Sequence, residues 1–418
     1  MQLFNTLRAR KKTEVFTVSD TLSKIFNKDI SRRQFLKRVA IGAGGVMLAS
    51  PLASMAASCG GSGNVNIKVL GWGDKLNDDV NDAFKADTGN SATFTIFTEN
   101  PEAMAKIKSD KTAFDTVFID GLWANGHYNA GTIVPIDFKG MKIYDDYFPQ
   151  FANLAPWQLP NGNTLAIPHA WSADGIMYNK DHVDLGDNPS FSALFDPKYE
   201  GKVAIYDSFY RNFLNVAPAV TSAGIFKDMH VQASIDGGPV EEAYDLSQSY
   251  LDQTLAEMLK ARKNFKMVWQ DIDEITRALV SGEIWIAIGG NYITQNCIDA
   301  GATNIEFATP AAHDIMGWVD GQCIIKNEQY DKNPDAVLSW MEHYHSAESQ
   351  VKVIGNTWLA STSRACLDGL EKAFPDGKER VAKLAARDTS TVDKMSLLRP
   401  LANPGPFQDA WAEFLAAG

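Results

Sequence analysis

From residue 66 onward, strand-like and helix-like stretches alternate, and that rhythm commits the chain to β-α units stacked on a sheet. Asn66–Leu70 reads as a strand, with Ile67 and Val69 on one side. Leu76 to Lys85 reads as a helix, with Leu76, Val80 and Phe84 on one face and Gly89 as its stop. Thr93–Phe97 alternates again, Pro101 opens a helix holding Met104 and Ile107, and Phe114–Ile119 precedes a helical stretch from Leu122 to Asn129. The pattern resumes at Lys202–Tyr206, a strand after Pro197 and Gly201. Asp271–Leu279 follows as a helix, then Ile284–Ile288 and Trp318–Ile325 as strands, and Asp335–His345 as a helix. Residues 233–245, with Gly237-Gly238-Pro239, read as a surface loop. Parallel units with helices on both sheet faces follow, and about 355 residues call for two domains, since single cores stop growing near roughly 250–300 residues.

The first 58 residues have a different character. Ser31-Arg32-Arg33-Gln34-Phe35-Leu36-Lys37 precedes the apolar run Val39–Leu48, and the small residues Ala53–Ser58 follow. Charged, apolar, small is the order of a removed export signal, here of the twin-arginine kind, which places the working protein in the periplasm. The apolar run falls short of the roughly 20 residues a spanning helix needs. Cys59, followed by Gly60-Gly61-Ser62-Gly63, resembles a lipoprotein site with a flexible tether, so a lipid anchor and a free protein are both open readings. Residues 1–38 carry ten Lys/Arg and three Asp/Glu, a net of +7; with −12 for the whole chain, the remainder is −12 − 7 = −19. An acidic passenger is not built for nucleic acid or anionic membranes. Cys297, Cys323 and Cys366 are odd in number and lack metal-ligand spacing, so buried structural thiols are expected.

Five segments then stand out: Gly71-Trp72-Gly73-Asp74, Phe114-Asp115-Thr116-Val117, Gly175-Ile176-Met177-Tyr178-Asn179-Lys180, Leu194–Lys202, and Gly282-Glu283-Ile284-Trp285. A sixth, Gly317-Trp318-Val319-Asp320, lies downstream. In order and spacing over residues 65–363 they resemble the periplasmic spermidine/putrescine-binding proteins of ABC importers. The resemblance implies a two-lobed α/β fold of the type II periplasmic-binding-protein kind, with ligand in the inter-lobe cleft and closure by a hinge. It implies chain crossings near Pro168–Trp171, Thr309–Asp314 and Asn356–Thr362. The expected organisation is a signal over 1–58, a tether over 59–65, one lobe over 66–170 plus 310–358, and a second over 171–309 plus 359–418. The implied function is capture of a polyamine or related amine and delivery to the permease subunits, after export by the twin-arginine translocase.

A buried alkyl ammonium needs aromatic faces and carboxylates. Trp72 and Asp74 sit where a strand ends and a helix begins, a preferred ligand position in α/β sheets. Trp318 and Asp320 lie two apart on one strand and so project to the same side. By the resemblance, Trp72 covers the ligand's carbon chain and Asp320 grips an amine. The ordinary alternatives are core packing for Trp72 and a turn or helix-start role for Asp74. Other positions depart from the family's pattern: Lys75 stands for a Tyr, Asp120 for a small hydroxyl residue, Ser208 and Arg211 for carboxylates, Asn356 for an aromatic and Gly290 for a Trp. Lys75 and Arg211 disfavour a long polycation. They raise a second reading, a zwitterion (an ω-amino acid, aminophosphonate or opine) whose anionic end meets Arg211. The alternative for Arg211 is a structural ion pair.

No catalytic residue, metal or cofactor is expected. His343-x-His345 diverges on a helix, so solvent-facing histidines are expected. Gly289-Gly290 lacks a dinucleotide fingerprint, and no Gly-x-Ser-x-Gly elbow or Walker loop occurs. A metal-dependent exported enzyme is thereby disfavoured. A metal-capturing relative would want clustered Tyr, His and carboxylates, of which His127-Tyr128 is the one suggestive fragment.

Overall fold

β1 (Asn66–Gly71), β2 (Ser91–Ile96) and β3 (Thr116–Asp120) pair in parallel in the order β3-β1-β2. The structure, a computed structural model, describes residues 64–221, 246–311, 315–355, 357–384, 386, 395–398, 401 and 403–418. The export signal, Cys59, the 233–245 loop and Asn356 lie outside the described residues. The helix Asp78–Thr88 links β1 to β2, and Asn100–Ser109 links β2 to β3. Asn77 caps the first of these by accepting the Val80 amide at 3.2 Å. Gly89, in the left-handed region at φ 74°, ends it. Val80 and Phe84 are buried as expected, but Leu76 is 42 % exposed. The cap at Asn77 leaves Leu76 ahead of the helix, so it does not share the apolar face.

The rest of this sheet comes from far along the chain. β4 (Ile133–Val134), β5 (Ile167–Ala173), β11 (Ile315–Ile325), β12 (Ala360–Ser361) and β13 (Met395–Leu397) complete it in the path β12-β5-β11-β3-β1-β2, with β4 and β13 also on β11. A second sheet has the order β10-β6-β9-β7-β8: β6 (Gly175–Asn179), β7 (Val203–Tyr206), β8 (Phe265–Trp269), β9 (Ile286–Gly289) and β10 (Ile305–Ala308). β5 pairs with β11 as far as Ala173, and Gly175 already pairs with Gly289, so Asp174 alone separates the two sheets. The chain returns between Ala308 and Ile315.

Val117-Phe118-Ile119 on β3 and Ile286-Ala287-Ile288 on β9 are buried, as central strands covered on both faces must be. The terminal helix Gly405–Ala416 packs on the second sheet's side, with Phe407 6.1 Å from Phe213 and Phe414 5.4 Å from Phe265 between ring centroids. The three cysteines are free and buried. One expectation fails: the histidines of helix Pro334–His345 do not face solvent. His345 is fully buried, with one ring nitrogen 3.1 Å from the Tyr147 hydroxyl and the other 3.1 Å from Gln322 Oε1. Burial pushes its pKa down to about 3. His343 is half-buried, 3.0 Å from the Val80 carbonyl. The two do diverge by helical geometry, but this helix is covered on more of its circumference than its polar spacing suggested.

Candidate functional site

β1 ends at Gly71, and Trp72-Gly73-Asp74-Lys75 turns sharply, with the Lys75 amide donating to the Trp72 carbonyl at 3.1 Å. The turn drives the Lys75 side chain inward to 1 % exposure. Its Nζ lies 2.9 Å from Asp74 Oδ2 and 2.5 Å from Asp320 Oδ2. Asp320's other oxygen accepts the Ala170 amide at 2.8 Å, and the Tyr344 hydroxyl donates to the Lys75 carbonyl at 2.8 Å. Burial opposes the Lys75 charge, but Asp320 and then Asp74 outweigh it, so the pKa stands above the ordinary lysine value. The ammonium also lies 5.9 Å from the Trp72 ring centre, within cation–π range. That ring is half-buried against Phe97 at 4.6 Å, and its Nε1 donates to the Thr98 carbonyl at 3.2 Å.

Beside this cluster stands a second acid. Asp120, the last residue of β3, is paired directly with Asp320 across the antiparallel β3/β11 ladder. Residues so paired share a face, with Cβ atoms roughly 5 Å apart. Asn100 holds Asp120 at two points: its Nδ2 donates to Oδ2 at 3.1 Å, and its Oδ1 accepts the Asp120 amide at 3.2 Å. Burial, then repulsion from Asp320, pushes the Asp120 carboxyl up to about 7. Glu99, next to Asn100 at the start of the same helix, is a third acid, half-buried and near the Tyr206 hydroxyl. Burial raises Glu99 to about 7 against the pull of Arg211. Glu99 follows β2 in the first sheet, whereas Tyr206 ends β7 in the second, so the two sheets face each other here.

Arg211, first residue of helix Arg211–Val220, forks onto Asp174: Nε donates to Oδ2 at 2.7 Å and Nη2 donates to Oδ1. Asn215 Nδ2 adds a bond to the same carboxylate at 2.8 Å. Asp174 is 1 % exposed and keeps Arg211 firmly charged, although burial works against that charge. The structural ion pair weighed for Arg211 is therefore what forms. Ser208 is buried, and its carbonyl accepts from Asn212 Nδ2 at 3.0 Å. Trp318 is 8 % exposed and meets Tyr292 edge-to-face, 6.3 Å between centroids. Tyr292 takes the space freed by Gly290: a Cβ there would collide with the Tyr292 ring, with Ser172 Oγ 3.3 Å away. Burial raises the Tyr292 phenol to about 12, and it feels the charges of Arg211, Asp174, Asp74 and Lys75.

Thus Trp72, Asp74, Lys75, Asp120, Trp318 and Asp320 come from one sheet, and Arg211 and Ser208 from the end of β7 in the other. Glu99, Asp174, Tyr206 and Tyr292 belong to the same neighbourhood and were missed in the sequence. Glu99 carried a usable signal, since it stands where a strand gives way to a Pro-opened helix. His127 and Tyr128 do not act together: His127 is buried with Nδ1 2.9 Å from Thr132 Oγ1, while Tyr128 is 39 % exposed.

Residues 80–369 match the family model for bacterial extracellular solute-binding proteins. The chain is a bacterial extracellular solute-binding protein. This solute-binding protein is 27 % identical over 161 residues to the putrescine-binding periplasmic protein SpuD of Pseudomonas aeruginosa, covering 37 % of this chain and 44 % of that one. It is 20 % identical over 295 residues to spermidine/putrescine-binding periplasmic protein 1 of Haemophilus influenzae, covering 70 % and 74 %. Its fold is shared with the spermidine/putrescine ABC transporter substrate-binding protein PotD of Streptococcus pneumoniae, solved with calcium and HEPES. The TM-score is 0.62 at 17 % identity, over 85 % of this chain and 99 % of that one. The family resemblance read from Gly71–Asp74 and its companion segments is borne out, as is the two-lobed type II α/β fold. SpuD is matched over less than half its length, so the likeness there is partial.

Proposed function

We propose that this solute-binding protein captures a small amine cation outside the cytoplasm, in the cleft between its lobes, and delivers it to the permease subunits of an ABC importer. The observation that carries the reading is the pair Glu99 and Asp120. Among the described residues neither has a lysine or arginine within ion-pair distance, and Asn100, the residue after Glu99, hydrogen-bonds Asp120. Two carboxylates left half-buried without a cation are costly. An ammonium between them would replace that cost with charge-assisted hydrogen bonds. The rings of Trp72, Tyr206, Tyr292 and Trp318 supply faces for its methylenes.

The zwitterion reading loses support because Asp174 takes the Nε and Nη2 donors of Arg211 and balances its charge, so a carboxylate or phosphonate would compete with a buried acid already in place. The names of the two curated relatives, which bind putrescine and spermidine/putrescine, support an amine. The arginine pair, apolar run and small residues before Cys59 support export by the twin-arginine route.

The test is a thermal-shift panel of n-butylamine, putrescine, spermidine, γ-aminobutyrate, aminoethylphosphonate and opines, because ligands of the folded state raise its melting temperature. Shifts are expected from amines, and Glu99→Gln or Asp120→Asn should reduce affinity by about tenfold or more. Shifts confined to the zwitterions would remove the reading.

A further inference from the structure

We propose that Lys75 is a tethered ammonium that permanently fills one of two cation positions in the cleft and so limits the solute to a single ammonium there. The inference rests on the amine reading above and deepens it.

The surroundings of Lys75 Nζ are those of a bound amine: two carboxylates at 2.9 and 2.5 Å and an indole face at 5.9 Å. The group is enclosed at 1 % exposure, and the Tyr344 hydroxyl pins its carbonyl. Asp320, which Lys75 neutralises, lies directly across the ladder from Asp120, which carries no such partner. The two acids thus form a pair of neighbouring anionic positions, one filled from within and one open.

A solute with a second ammonium would have to push Lys75 out of an enclosed pocket or place its charge beside Lys75. The first leaves a buried cation unpaired, and the second sets like charges together in a site that excludes water. A solute with one ammonium meets neither obstacle. Lys75 is thus a specificity-determining residue acting by occupation, and a smaller neutral side chain should open the second position.

The experiment compares n-butylamine with 1,4-diaminobutane by calorimetry, in wild type, Lys75→Ala and Lys75→Arg. Wild type is expected to bind n-butylamine more tightly than the diamine, because the second ammonium is set beside Lys75. Lys75→Ala should prefer the diamine by about tenfold or more, and Lys75→Arg, which keeps the charge, should not. Ethylamine, which supplies an ammonium without the tether, should raise the melting temperature of Lys75→Ala, with both positions open, by more than it raises that of wild type, with one.

Wild-type binding of the diamine as tight as that of n-butylamine, or tighter, overturns the proposal whether or not the alanine variant folds. So does a Lys75→Ala protein that folds but gains neither diamine preference nor ethylamine stabilisation. Failure of the underlying amine reading looks different: no amine binds wild type at all, while ethylamine rescue of Lys75→Ala still reports on the Lys75 pocket.

Discussion

Glu99 and Asp120 are both held near pKa 7, where free carboxylic acids of their kind titrate near 4. The folded protein therefore keeps protons on them that the unfolded chain has already released. Stability rises with pH only where the unfolded state binds more protons, so here the sign is reversed. These two groups stabilise the unliganded fold most at acidic pH and lose that contribution as pH climbs from about 4 through about 7. Melting temperatures of wild type and Glu99→Gln/Asp120→Asn across pH 5–8 check this: the wild type should lose more ground toward pH 8 than the double variant. Binding carries the matching signature. An ammonium favours the ionised acids, so amine affinity should weaken below about pH 7. Calorimetry at pH 6 in two buffers of different ionisation enthalpy should show proton release, and at pH 8 almost none. Much of this scale was hidden in the sequence. Trp72, Asp74 and Asp320 could be found from their motifs, but the insertion of Lys75 between Asp74 and Asp320 depends on the turn after β1 burying the lysine. Glu99 was passed over because an acid at a helix start is ordinarily solvated.

At the level of elements, local signals and tertiary demands agree at the first helix and disagree elsewhere. Asn77 and Gly89 bound that helix by cap chemistry legible in the sequence. Asn77→Ala should lower stability by about 1 kcal/mol in urea unfolding, with little change in amine affinity. Gly290, at the end of β9, reports the opposite situation. Its missing side chain is the space into which Tyr292 fits, so the residue matters for what its neighbour does. Gly290→Ala should displace the Tyr292 ring and weaken amine binding several-fold while leaving the far-ultraviolet circular dichroism unchanged. The strands and helices themselves were readable because hydrophobic period is a local property. The burial of His345 was not, since it is set by Tyr147 and Gln322, 198 and 23 residues away in sequence.

Across the whole molecule, the chain crosses between its sheets at Asp174 and again between Ala308 and Ile315, and Asp174 anchors Arg211 at the first crossing. The pair of half-buried Arg211 and buried Asp174 at that junction ties the orientation of helix Arg211–Val220 to the end of β5. Breaking it by Asp174→Asn should destabilise the protein by several kcal/mol, because Arg211 would be left as an uncompensated charge; chemical denaturation reads this directly. Beyond residue 38 the chain carries a net charge of −19, from −12 overall less the +7 before it, which favours encounter with cations over anions. The most direct measurement is calorimetric titration of the protein with n-butylamine at pH 7.5, beside γ-aminobutyrate and with Glu99→Gln and Asp120→Asn as controls. The account predicts saturable binding of the amine, weakened about tenfold or more by either substitution. Binding of the zwitterion alone, or amine binding indifferent to both substitutions, would contradict it.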